Sequence, residues 1–81
     1  MITLTAGPQL RAARAMAGLD RHELAALAGI TAQTIKRLEG MDRIRSTTTT
    51  VESLQRALEA QGVVFTNGDE PGVRLRRRAA A

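Results

Sequence analysis

Residues 20–40 read Asp20-Arg21-His22-Glu23-Leu24-Ala25-Ala26-Leu27-Ala28-Gly29-Ile30-Thr31-Ala32-Gln33-Thr34-Ile35-Lys36-Arg37-Leu38-Glu39-Gly40. The fold follows from how this stretch is punctuated. Asp20-x-x-Glu23 is a capping box: an Asp side chain accepts from the third amide after it, and the Glu reaches back. It predicts a helix over residues 21–28 that buries Leu24, Leu27 and Ala28. Gly29 then supplies the positive φ that a tight turn between two helices often needs. Thr31 is a good cap for a second helix over residues 32–39, with Ile35 and Leu38 facing inwards and Ile30 joining them from the turn. Gly40 ends it. Two short helices joined this tightly leave the second one protruding. Its positions off the core are Ala32, Gln33, Lys36 and Arg37.

Working outwards, residues 1–7 read as a short lead-in, and Pro8 suits the first turn of a helix. Residues 9–17 are rich in helix formers, with Leu10, Ala13 and Ala17 at core spacing and Gly18 as the stop. On the other side, residues 41–50 read as a loop anchored by Ile44. Thr49-Thr50-Val51-Glu52 has the form of a further capping box. It predicts a fourth helix to about Gln61, with Val51, Leu54 and Leu58 on one face and Gly62 after it. Val63-Val64-Phe65-Thr66 has strand composition, and Asn67-Gly68 and Pro71-Gly72 are turn signals. Val73 and Leu75 alternate with Arg74 and Arg76. The pattern predicts a β-hairpin with Val63 and Phe65 on the same face as Val73 and Leu75. An isolated two-stranded hairpin is marginal, so this one must pack on the helices, pair across a dimer, or both. The expected organisation is a compact, mainly α four-helix unit over residues 1–62, then a C-terminal β segment and frayed basic tail over residues 63–81.

Eighty-one residues leave room for one domain with little stability margin, and there is no cysteine to add disulfides or a thiolate metal site. Tight packing or oligomerisation has to supply the difference, which favours a homodimer. The net charge is +4, and Lys36 is the single lysine among 12 basic residues. Arginine offers a planar fork of donors suited to phosphates and guanine edges, although a high-GC genome enriches Arg and Ala as well. No apolar run is long enough to span a membrane and no signal-peptide pattern is present, so a cytoplasmic protein without membrane association is expected. Phe65 is the single aromatic residue, which argues against a stacking platform for single strands or RNA.

Nothing points to catalysis. His22, the lone histidine, sits beside a cap on an exposed face, and Ser46 and Ser53 have no activating histidine constellation. The glycines stand singly at helix boundaries and form no phosphate-cradling loop. No enzyme activity, metal or cofactor is therefore expected. The positive signal is the free face of the helix over residues 32–39. Gln pairs bidentately with adenine and Arg with guanine, and a small residue such as Ala32 permits close approach to a base or a thymine methyl. An ordinary amphipathic helix with a solvated polar face has the same pattern.

Leu10-Arg11-x-x-Arg14, Glu23-Leu24-Ala25, Ala28-Gly29-Ile30-Thr31 and Thr34-Ile35-x-Arg37-Leu38-Glu39 together resemble the Cro/repressor-type (XRE-like) helix-turn-helix family, over about two fifths of the chain. Similarity continues less sharply through the fourth helix, and Gly62-Val63-x-Phe65 resembles the end of many small bacterial members. The resemblance implies a lambda-repressor-like helix-turn-helix domain with a short C-terminal hairpin or strand. It implies base reading by Ala32, Gln33 and Arg37, where Ala32 departs from the polar residues often seen, and backbone contact by Thr31, Thr34 and Lys36. Arg21 stands where many members have Gln, and either binds phosphate or reaches a guanine. Arg43, Arg45 and Ser46, in the loop after the recognition helix, are expected to touch phosphates, with Thr47 to Thr50 equally readable as a solvated linker. Arg11 and Arg14 either pack on the domain or approach the backbone, and Arg74 and Arg76 to Arg78 either reach flanking phosphates or merely solubilise the tail.

The expected function is that of a bacterial, nucleoid-associated transcriptional regulator that binds double-stranded DNA as a homodimer on a palindromic operator. Leu58, Val63, Val64, Phe65, Val73 and Leu75 are the expected dimerisation residues. The alternative is an antitoxin-type interaction module whose C-terminal segment binds a partner protein by strand addition. A basic RNA-binding or nucleoid protein is a third reading.

Overall fold

The computed structural model describes residues 2–67 and 70–76. Four helices are followed by two strands: α1 (Gly7–Met16), α2 (Arg21–Ala28), α3 (Ala32–Glu39), α4 (Thr48–Ala60), β1 (Val63–Thr66) and β2 (Gly72–Leu75). The strands form an antiparallel hairpin in which Val63 faces Leu75 and Phe65 faces Val73, the predicted pairing of faces. The predicted Asn67-Gly68 turn lies partly outside the described residues. The tail from residue 77 lies wholly outside them.

The local signals around the central stretch form as predicted. Asp20 Oδ1 accepts the Glu23 N–H at 2.8 Å, and Glu23 Oε1 accepts the Asp20 N–H at 2.9 Å. Gly29 caps α2 at φ 71°, in the left-handed region, and its N–H returns to the Ala25 carbonyl. Thr31 Oγ1 accepts the Thr34 N–H and starts α3. α4 begins earlier than the Thr49–Glu52 box predicts: Thr47 is the cap, and its Oγ1 accepts the Thr50 N–H. In a run of four threonines any of them has the capping chemistry. The one whose choice turns Val51, Leu54 and Leu58 onto the core is the one used.

One core joins all the elements. Leu10 and Ala13 of α1, Leu24 of α2, Ile35 and Leu38 of α3 and Leu54 and Leu58 of α4 are buried, together with Val63 and Phe65 of β1. Ala17, Ala28, Ile30, Ile44 and Val73 pack partly buried against them. Three of the expected dimerisation residues, Leu58, Val63 and Phe65, are therefore spent inside the single chain. The hairpin settles on α1 and α4 because its apolar face has a core to complete there.

Two expectations about burial are corrected. Leu27 is 54% exposed. The buried arc of α2 runs through Leu24, Ala28 and Ala25, and at 3.6 residues per turn Leu27 lies roughly 110° from its centre. A helix of barely two turns buries a narrower stripe than its composition suggests. Conversely, the lead-in is an integral part of the fold. Leu4 is fully enclosed, and α1 starts at Gly7, whose N–H donates to the Met41 carbonyl at 2.9 Å. A Cβ on Gly7 would collide with that carbonyl oxygen, so only glycine lets the start of α1 reach the loop after α3.

A buried amide stitches this end together. Gln9 Oε1 accepts from the Thr5 and Ala6 N–H groups, and Gln9 Nε2 donates to the carbonyls of Thr66 at 2.9 Å and Gly72 at 3.2 Å. From α4, Gln55 Oε1 accepts the Thr3 and Leu4 N–H groups at 2.8 and 3.0 Å. Gln9→Leu keeps the volume but strands these part-buried partners. We expect it to cost about 1–3 kcal/mol in urea denaturation. The amide protons of β1 and β2 should lose hydrogen-exchange protection before those of α2 and α3.

Candidate nucleic-acid interface

α3 presents two faces of opposite chemistry. Ile35, Leu38 and Glu39 point into the molecule, whereas Gln33, Lys36 and Arg37 are exposed. Positions 33, 36 and 37 are spaced i, i+3, i+4, so they form one outward stripe. Ala32 is half-buried at the start of the helix. Thr31 and Thr34 lie beside it with their hydroxyls 2.9 Å apart. Arg43, Arg45 and Ser46 are exposed in the loop that follows, and Ile44 is half-buried between the two arginines. Its N–H donates to the Thr5 carbonyl at 2.9 Å, which ties the loop to the segment before α1. The face built from α3 and this loop is cationic, with Asp42 as the one exposed carboxylate on it.

The inner end of α3 is held by an ion triad. Glu39, with a side chain 1% exposed, accepts Arg14 Nε at 2.7 Å and Arg14 Nη2 at 3.2 Å. Its Oε1 also accepts Arg21 Nε at 3.1 Å. Arg14 Nη1 donates onwards to the Leu19 carbonyl at 3.1 Å. One carboxylate thus joins α1, the α1–α2 connection, α2 and α3. Burial pushes the Glu39 carboxyl up, but the hydrogen bonds and charges of Arg14 and Arg21 outweigh it and hold Glu39 below the usual carboxylate range. The hydrogen bond to Glu39 likewise raises Arg14 further above its already high value.

The sequence-predicted residues therefore separate into groups. Gln33, Lys36, Arg37, Thr31 and Thr34 lie on or at the start of α3, and Arg43, Arg45 and Ser46 are exposed in the loop that follows it. Arg21 lies at the α2 end of the same region, tied inwards through Nε and still about one third exposed. Arg14 is a packing residue. Arg11 is exposed on α1, and Arg74 and Arg76 are exposed on and after β2. Glu39 was quoted above only as part of a motif; its burial as a partner for two arginines came from the packing. The available signal was Arg14 and Glu39 each sitting on the apolar side of its own helix.

This arrangement is a protruding helix set by a left-handed glycine turn, with its polar stripe free. A family model described as a helix-turn-helix domain matches residues 6–65. The chain belongs to the helix-turn-helix domain family. Among curated proteins no match is found. The matched span runs through β1, in keeping with Val63 and Phe65 sitting in the core of the helix-turn-helix domain. No helix among the described residues is long and apolar enough to cross a membrane. Among those residues no three His, Cys, Asp or Glu side chains gather as metal ligands would.

The triad has a pH signature. Because Glu39 titrates below its unfolded value, its contribution is complete above the ordinary carboxylate pKa and is lost as pH falls through the lowered folded value. Glu39→Gln should be less stable at neutral pH by about 2–3 kcal/mol. Urea denaturation across pH should show its stability falling less steeply into acid than that of the wild type.

Proposed function

We propose that the chain is a sequence-specific, double-stranded DNA-binding transcriptional regulator that acts as a homodimer on a palindromic operator in the bacterial cytoplasm. The observation that carries this reading is the outward stripe of Gln33, Lys36 and Arg37 on a protruding α3, unobstructed by any described part of the chain. α3 enters the major groove. Gln33 and Arg37 read base edges, and half-buried Ala32 lets the helix start come close. Each well-formed bidentate pair discriminates by about 1–3 kcal/mol. Thr31, Thr34, Lys36, Arg21, Arg43, Arg45 and Ser46 set register on the phosphates and contribute salt-sensitive affinity.

Two copies present their α3 helices about 34 Å apart, one turn of DNA. With Leu58, Val63 and Phe65 enclosed, the expected dimerisation residues left for a second copy are half-buried Val64 and Val73 and Leu75, which is 46% exposed. The second reading, a module that binds a partner protein, is favoured by one observation. β2 has a strand partner on one side only and carries exposed Arg74 and Leu75, a template for an added strand of opposite charge.

Arg37→Ala should relax preference at one operator position in a selection from random duplexes. Arg43→Ala should weaken binding to all sequences alike and flatten the salt dependence by about one unit of slope. Equal affinity of the wild type for random and selected duplexes would remove the sequence-specific claim. Leu75→Glu should shift the protein towards monomer in sedimentation and weaken operator binding more than half-site binding. A stoichiometric partner that co-purifies with the wild type and is lost on Leu75→Glu would instead favour the second reading.

A further inference from the structure

Glu39 touches no solvent, yet one of its two arginines stands at the edge of the proposed DNA face. Arg21, at the first position of α2, lines a shallow recess between α2 and α3 with His22, Ala32, Gln33 and Lys36. Its Nε is bound to Glu39 Oε1 at 3.1 Å, and its terminal nitrogens make no further hydrogen bond among the described residues. Lys36 lines the same recess from α3 and is exposed. Asp20, the carboxylate at this edge, is engaged as the cap of α2 through Oδ1.

We propose that Glu39 is a positioning residue of the DNA interface: by binding Nε it orients Arg21 so that the outer guanidinium nitrogens and the Lys36 ammonium clamp one DNA backbone phosphate in this recess. The proposal rests on the reading of α3 as the DNA-facing helix. An arginine loses rotamer freedom when it is ordered on a ligand. Here the fold has already removed part of that freedom, because Nε is tied to Glu39 while the side chain, about one third exposed, lines the recess and keeps its other guanidinium donors for an oxyanion. The charge balance supports the assignment. Arg14, Arg21 and Lys36 stand against the two carboxylates Glu39 and Asp20, which leaves the recess a net cation.

The test is a double-mutant cycle on a selected operator duplex, read as both affinity and salt dependence. Because they share one phosphate, Arg21→Ala and Lys36→Ala combined should lower the slope of log affinity against log salt by about 0.9, with no change in base preference. Glu39→Gln should weaken binding about fivefold when Arg21 is present, the scale of ordering one long side chain. In the Arg21→Ala background it should cause no further loss. A purely structural Glu39 would give the same loss in both backgrounds, which overturns the proposal, as would an unchanged salt slope when Arg21→Ala and Lys36→Ala are combined. If Glu39→Gln fails to fold, the wild-type protein still decides: nitrogen-15 NMR should show one sharp, exchange-protected Arg21 Nε–H resonance that persists on duplex binding. A rapidly exchanging, averaged signal overturns the proposal. Should Arg37→Ala and Arg43→Ala leave binding untouched, the DNA-facing reading of α3 fails as a whole. That outcome is distinct from failure of the clamp alone, in which those two variants respond as expected and the combination of Arg21→Ala with Lys36→Ala does not.

Discussion

The buried carboxylate of Glu39 is the constraint on which the arrangement of the first three helices depends. A charge with 1% of its side chain exposed is costly unless it is fully partnered. Arg14 from α1 and Arg21 from α2 partner it, and Arg14 also reaches the Leu19 carbonyl in the connection between them. Van der Waals contact among Leu10, Leu24, Ile35 and Leu38 supplies most of the burial but tolerates small shifts of one helix on another. Charge-assisted hydrogen bonds from two directions do not. The inner end of α3 is therefore fixed in angle as well as in depth, and its outer stripe is fixed with it.

Around the start of α1 the same problem is solved by neutral groups. The start of α1, the chain before it and the hairpin each leave backbone groups facing the interior. Gln9 and Gln55 satisfy them with side-chain amides. An amide offers donors and acceptors together, so one Gln9 closes the N-terminal turn of α1 and holds two carbonyls of the hairpin. This is why a two-stranded hairpin persists on a small helical unit. Its apolar face completes the core through Val63 and Phe65, and its ends are tied by hydrogen bonds across more than fifty residues of sequence.

These two anchors bear on the proposed function. A helix that reads bases must present its side chains in a fixed frame, because bidentate pairing is sensitive to angle. α3 has eight residues, too short to be stable alone. Its frame comes from the turn at Gly29, the cap at Thr31, the two apolar anchors Ile35 and Leu38, and Glu39. The loop after it is fixed by Ile44, whose N–H bonds to Thr5 before α1, and it leaves Arg43 and Arg45 exposed. The cationic face is thus built by elements that are rigid for reasons of packing.

The helices, their caps and the exposed stripe of α3 were legible in the order of the residues, because those features rest on interactions spanning three or four positions. Asp20 with Glu23, Thr31 with Thr34, Gly29 at positive φ and the i, i+3, i+4 spacing of Gln33, Lys36 and Arg37 are all local. Where local signals were degenerate, as in the threonine run before α4, or marginal, as for Leu27 at the edge of its helix's buried arc, packing made the choice. The burial of Leu4, the stitching by Gln9, the enclosure of Leu58, Val63 and Phe65, and the meeting of Arg14 and Arg21 at Glu39 join residues distant along the chain. No spacing rule encodes such encounters: which polar side chains are drawn inside depends on which backbone groups and charges the assembled core would otherwise leave unpartnered.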